Sequence, residues 1–116
     1  MNTENYYPIT FEGDEFLVVN NGTAPTPCKI TVIPQVDIVV LTIEGVSEKP
    51  ITTSHLNVGD VLVIDGENRN VTINDIPAFK QYGGWEFPKL KPGENKIKVS
   101  NGAQTQLSVE FNARYI

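Results

Sequence analysis

Few residues in this 116-residue chain have the type and spacing that chemistry requires. The single histidine, His55, follows Ser54, and neither lies in a nucleophile-elbow or metal-ligand spacing. With one cysteine and no second histidine, a transition-metal site has little to be built from. Cys28 lies in CKITVIP, in phase with Ile30 and Val32, and reads as core, because nothing nearby would lower its pKa. The acids Asp60, Asp65, Glu67 and Asp75 could hold calcium, but they lack the alternating spacing of an EF-hand loop, and two sit at turns where Asp is expected anyway. No glycine motif for phosphate is present. The expectation is a non-enzyme with no catalytic, cofactor or metal residues. Binding chemistry has one candidate: Phe79, Tyr82 and Trp85, around Gly83-Gly84, could form a flat platform for a sugar ring. The competing reading has Trp85 and Phe87, two residues apart, pointing one way and plugging a core beside Leu62 and Ile64. Burial is favoured, because a buried Trp covers a large apolar area and the strand that carries Leu62 needs such a cover.

The elements that must position these residues are organised around one hairpin, Val58 to Ile76. Val61 to Ile64 form an apolar run that Asp65-Gly66 breaks, and Val71 and Ile73 then alternate with Thr72 and Asn74, the period of a half-buried strand. A three-residue loop, Gly66-Glu67-Asn68, pairs Val63 with Val71 and Val61 with Ile73, with Asn68 near the left-handed region. Leu62 and Ile64 then face the other side, which must also be covered, so the hairpin is predicted to be central.

Around it the chain reads as short strands with turn signals between them. Residues 1–14, with Tyr6-Tyr7-Pro8 and Thr10-Phe11, are an edge strand or a tether. Phe16 to Val19 form a strand that ends at Asn20-Asn21-Gly22. Thr23 to Pro27, with two prolines, is an extended segment crossing between sheets. Cys28 to Ile33 is a strand, and Asp37 to Glu44, apolar on both faces, is predicted to be interior. Ile51 to Leu56 is an edge strand. Pro77 to Pro88 is irregular, and Lys91-Pro92-Gly93-Glu94 has proline and glycine in type II turn positions. Ile97 and Val99, then Leu107 to Tyr115, alternate about Asn101-Gly102, and a three-residue loop there would pair Ile97 with Leu107. No helix of normal length is visible. The fold class is therefore all-β, an antiparallel two-sheet β-sandwich of jelly-roll type, with residues 1–116 as one domain.

Composition bounds the rest. Hydrophobic content of 40% and charged content of 20% suit an ordinary globular domain. No apolar run approaches the roughly 18 residues of a membrane span, and the N-terminus has neither the basic nor the apolar region of a signal peptide. Either export does not use that route or Met1 begins an excised fragment. A net charge of −5 with scattered basic residues argues against nucleic acid as a partner.

Three stretches, in order, resemble the C-terminal domain of the distal tail protein of long-tailed (siphovirus-type) bacteriophages: Asn20 to Pro27, Gly59 to Gly66, and Trp85 to Asn95 with its Leu90-Lys91-Pro92-Gly93-Glu94-Asn95. The likeness covers Asn20 to Ile116. It implies a galectin-like sandwich in a viral structural protein, an adaptor projecting from the tail tip or baseplate hub and supporting host-adhesion components. Full-length relatives have an N-terminal ring-forming half and are hexameric. That half has no counterpart here, so this chain is expected to be the C-terminal half of a larger tail protein, with a shortened relative as the alternative, and, alone, a monomer or weak dimer. Expected partners are other tail and baseplate proteins, and the expected location is the virion, after synthesis in the bacterial cytoplasm. The rival from another class is a carbohydrate-binding module of a cell-wall- or polysaccharide-directed protein, meeting a host-surface glycan through Phe79, Tyr82 and Trp85.

Overall fold

A computed structural model describes residues 2–5, 9–11, 15–83, 86–100 and 105–115. These residues form strands joined by turns, with one short 3-10 turn at Phe79–Gln81. The larger sheet contains β1 (Asn2–Asn5), β2 (Ile9–Phe11), β4 (Thr26–Pro34), β7 (Leu62–Asp65), β8 (Asn70–Ile73), β9 (Ile76–Pro77), β10 (Lys89–Leu90) and β12 (Thr105–Tyr115). Its order is β1-β12-β4-β7-β8-β9, with β2 also on β12 and β10 also on β4. The smaller sheet has the order β3-β11-β5-β6, from β3 (Glu15–Asn20), β11 (Gly93–Val99), β5 (Ile38–Glu44) and β6 (Ile51–Leu56). Every pairing is antiparallel.

The sandwich follows from period-two patterning. Successive strand residues point to opposite faces, so Cys28, Ile30 and Val32 of β4 and Leu107, Val109 and Phe111 of β12 line one inner wall. Leu41, Ile43, Ile51, Ile97 and Val99 line the other, and all are buried in the same core cluster. Each fully buried Leu or Ile contributes roughly 1.5–3 kcal/mol relative to exposure. Thr23 to Pro27 carries the chain from the small sheet to the large one, as its prolines predicted. Gly93 takes φ +91°, the left-handed position of the turn read at Pro92-Gly93.

Three expectations are corrected. The hairpin register is one residue away from the predicted one: Ile64 pairs with Val71 and Leu62 with Ile73, across a four-residue loop, Gly66 to Arg69. The left-handed residue is Arg69 (φ 53°), not Asn68. The reason is volume. The predicted register gave Val61 and Val63 the face shared with Val71, whereas the larger Leu62 and Ile64 take the core and leave Val61 exposed. Second, β5 lies between two strands but is not covered on both faces, since Val39 is 73% and Val40 50% exposed. Third, Ile97 and Leu107 do not pair. β11 and β12 belong to different sheets, and both residues face the core from opposite walls. Matching alternation describes two facing strands as well as two paired ones, so pattern alone could not separate them.

Candidate functional site

The crossing segment, the Gly66 end of the hairpin stretch and the start of the third stretch meet at one site, held there by specific backbone bonds. The crossing segment is tied to the end of β12, where Thr23 and Ala24 donate their N–H groups to the Arg114 carbonyl at 2.8 and 3.2 Å, and Thr26 Oγ1 donates to the Asn112 carbonyl at 2.7 Å. The hairpin tip is tied to β4, with Gly66 N–H donating to the Cys28 carbonyl at 2.9 Å. The third stretch is tied to β4 and to the turn after β5: Cys28 N–H donates to the Pro88 carbonyl at 3.1 Å, and Lys89 N–H to the Val46 carbonyl at 2.9 Å. A Cβ on Gly66 would lie 2.3 Å from the Pro88 oxygen, so only glycine allows the tip to sit this close.

Between these segments lies an open groove of about 620 Å³. Pro25, Pro27, Phe87 and Pro88 give it apolar surface, and its charged side chains are Glu67, Arg69, Glu86, Lys89 and Arg114. Arg114 Nη2 is 3.7 Å from Glu67, and Lys89 Nζ is 3.9 Å from Glu86. Among the described residues, Arg69 has no ion pair. The tip is shaped by Asp65, whose carboxylate accepts the backbone N–H groups of Glu67 and Asn68, each at 3.1 Å, and Asn68 Nδ2 at 2.8 Å. Burial alone would raise the Asp65 pKa, but these hydrogen bonds outweigh it and hold the carboxyl below its ordinary value.

Two of the three aromatic candidates are among the described residues. Phe79 stands on the 3-10 turn, 53% exposed. Tyr82 is half-buried, stacked on Phe87 with ring centroids 5.2 Å apart, and its hydroxyl donates to the Glu86 carbonyl. Burial, with the Glu86 charge adding to it, pushes the Tyr82 phenol up to about 12. Trp85 lies outside the described residues. Tyr82 also closes the free side of β6 through a bridge to Thr53, and Gly83 N–H donates to the Thr52 carbonyl at 2.6 Å.

The other sequence candidates fall into separate places. His55 is exposed, with Nε2 2.8 Å from Asn57 Oδ1. Cys28 is buried in the core, and burial pushes its thiol up to about 12. The four acids split between the two ends of β7. Asp65 and Glu67 shape one turn. At the other end Asp60 accepts the Asn57 N–H at 2.8 Å and Asn74 Nδ2 at 3.0 Å, which hold its carboxyl below the usual range. Among the described residues, no three His, Cys, Asp or Glu side chains gather as a metal set. Sequence reading singled out the three segments but missed the groove residues Arg69, Lys89 and Arg114. The available signal was the motifs' own rarity of regular structure, since turns and crossings without a helix to support them must pack on one another.

A family model for the C-terminal domain of siphovirus-type tail components matches residues 21–115. Among solved structures, the SPP1 Dit protein is similar, with a TM-score of 0.72 and 13% identity over 94% of this chain. It is described as a paradigm of the hub adsorption apparatus in phages that infect Gram-positive hosts. The match takes in 48% of that protein, so the chain spans about half its length. No curated protein sequence matches the chain.

Proposed function

The chain belongs to the siphovirus-type tail components, as their C-terminal domain, and from that membership we propose that it is a non-catalytic adaptor of the tail tip that supports host-adhesion components. As a tail component it is a structural part of the phage particle. In the proposed role it projects from the tail end as the C-terminal half of a longer protein, made in the bacterial cytoplasm and incorporated into the virion. The carrying observation is the extent of the family match, 95 of 116 residues, on a fold that superposes on one half of a hub protein. Fold likeness by itself would leave function open.

The carbohydrate-binding reading asks for Tyr82 and Trp85 on an open platform. Tyr82 instead gives one ring face to Phe87 and its hydroxyl to the backbone, which favours a structural part for it. The adaptor reading is tested by immunogold labelling of virions with antibody raised against this chain. Label at the distal end of the tail is expected. Label on the head, along the tube, or absent from intact particles would refute the placement.

A further inference from the structure

The adaptor reading leaves the groove between the three motif segments without a role, and its charges are unusual for this chain. The protein carries nine Lys and Arg against fourteen Asp and Glu, yet the groove collects three cations and only two acids. Both acids are already engaged, Glu67 by Arg114 and Glu86 by Lys89. Arg69 is left over, and it occupies a left-handed backbone position (φ 53°) that glycine or asparagine would take at lower cost. A guanidinium therefore stands there against the preference of its own backbone. Beside it, Pro25, Pro27 and Phe87 offer apolar surface in a space within the roughly 300–1,000 Å³ of ligand clefts. The backbone bonds from Gly66, Cys28 and Lys89 fix the walls before anything binds, which lowers the entropy lost on binding.

We propose that this groove receives an extended, acidic segment of a neighbouring tail protein, with a carboxylate on the Arg69 guanidinium and an apolar side chain against Pro27 and Phe87. Arginine presents a planar fork that matches a carboxylate with two parallel hydrogen bonds, and the positive local balance repels a basic segment. The identity of the neighbour rests on the adaptor reading, whereas the preference of the groove for an acidic chain does not.

The test is an NMR titration of the isotope-labelled 116-residue chain with an acetylated hexapeptide alternating Glu and Leu, and with its Lys and Leu counterpart. Expected are saturable shifts at the amides of Gly66, Arg69, Phe87 and Lys89 with the acidic peptide, none with the basic one, and weaker binding as salt is raised. Arg69→Gly removes the guanidinium while suiting the left-handed backbone, so it should keep the melting temperature and weaken binding at least tenfold. Undiminished binding by Arg69→Gly, equal response to both peptides, shifts confined to another face, or no saturable shift at millimolar peptide would each overturn the proposal. The same shifts from inorganic phosphate would mark a plain anion site and overturn it too. Binding as expected by a chain that immunogold places away from the tail end would remove the neighbour and leave the groove chemistry. Correct placement without peptide binding would do the reverse.

Discussion

Asn20 and Asn95 are among the most informative side chains, because each is a buried amide that closes a turn with its own hydrogen bonds. Asn95 Nδ2 donates to the carbonyls of Val18, Lys91 and Gly93, and its Oδ1 accepts the Lys91 N–H at 3.0 Å. Asn20 does the same for the crossing, donating to Ala24 and Leu90 and accepting the Gly22 N–H at 2.9 Å. Both are motif residues, visible as such in the sequence. Their purpose was not, because the partners of Asn20 and Asn95 include carbonyls more than 65 residues away along the chain. Removing such an amide strands buried carbonyls, each worth about 1–3 kcal/mol. Asn95→Ala should therefore destabilise by about 2–4 kcal/mol in a urea titration. Asn68→Ala, on the exposed tip, should cost under about 1 kcal/mol. Equal losses would mean that the Asn95 bonds are not the ones holding the turn. The acids of the two β7 turns make a pH prediction. Asp60 and Asp65 titrate below their unfolded values, so their contribution is present above an unfolded pKa of about 4 and is lost as pH falls through the lower folded values. Both carboxylates are largely solvated, so the effect is small and screened by salt. Melting temperature should fall as pH drops below about 4, and Asp65→Asn should flatten part of that slope. A profile identical to wild type would remove Asp65 from the account.

At the scale of elements, the hairpin shows what alternation can and cannot decide. Its existence and its breaker at Asp65-Gly66 were legible from residue order, but its predicted central place was not met: β7 and β8 lie toward the β9 edge of the sheet, and the face that carries Val61 and Val63 is not fully covered. Its register was not legible, because Val61 to Ile64 are all apolar and the pattern is silent on which pair faces inward. Packing volume decides: Leu62 and Ile64 are fully buried, while Val63 is half-buried on the outer face. Ile64→Ala should cost about 2–5 kcal/mol from lost transfer energy plus cavity, and Val63→Ala about 1 kcal/mol. The reverse order in chemical denaturation would restore the three-residue loop. The same hairpin explains why its tip cannot change. An alanine Cβ at position 66 would meet two backbone oxygens, Pro88 at 2.3 Å and Cys28 at 2.7 Å, which cannot swing aside as a side chain would. Gly66→Ala should cost about 1–3 kcal/mol and should also disturb the groove, since the tip forms one of its walls. The groove was hidden for a related reason. It is made by turns from three distant segments, and a sequence read in order shows each turn but not that they touch.

The whole molecule is two antiparallel sheets whose facing sides are apolar and whose outer sides are mixed, and that mixture governs association. Leu17, Val19 and Val40 are exposed on the smaller sheet, with Leu17 and Val19 on its edge strand β3. An open apolar edge invites pairing with another chain unless charges interrupt it. Here they do. Across from β3, Glu94 faces Val19, Lys96 faces Leu17 and Lys98 faces Glu15, and Lys96 Nζ lies 2.9 Å from Glu15 Oε1. Pairing a second copy along β3 would join only two six-residue strands, a short contact against the roughly 1,200 Å² of a stable interface. The other edge, β6, is already capped by Tyr82 and Gly83. The isolated chain should therefore scatter light as a 12.8 kDa monomer at micromolar concentration, with a weak dimer only as concentration rises into the millimolar range. Leu17→Lys should leave the micromolar mass unchanged and suppress any concentration-dependent rise. A stable particle near six times the monomer mass would instead place assembly within this sandwich and overturn the expected monomer.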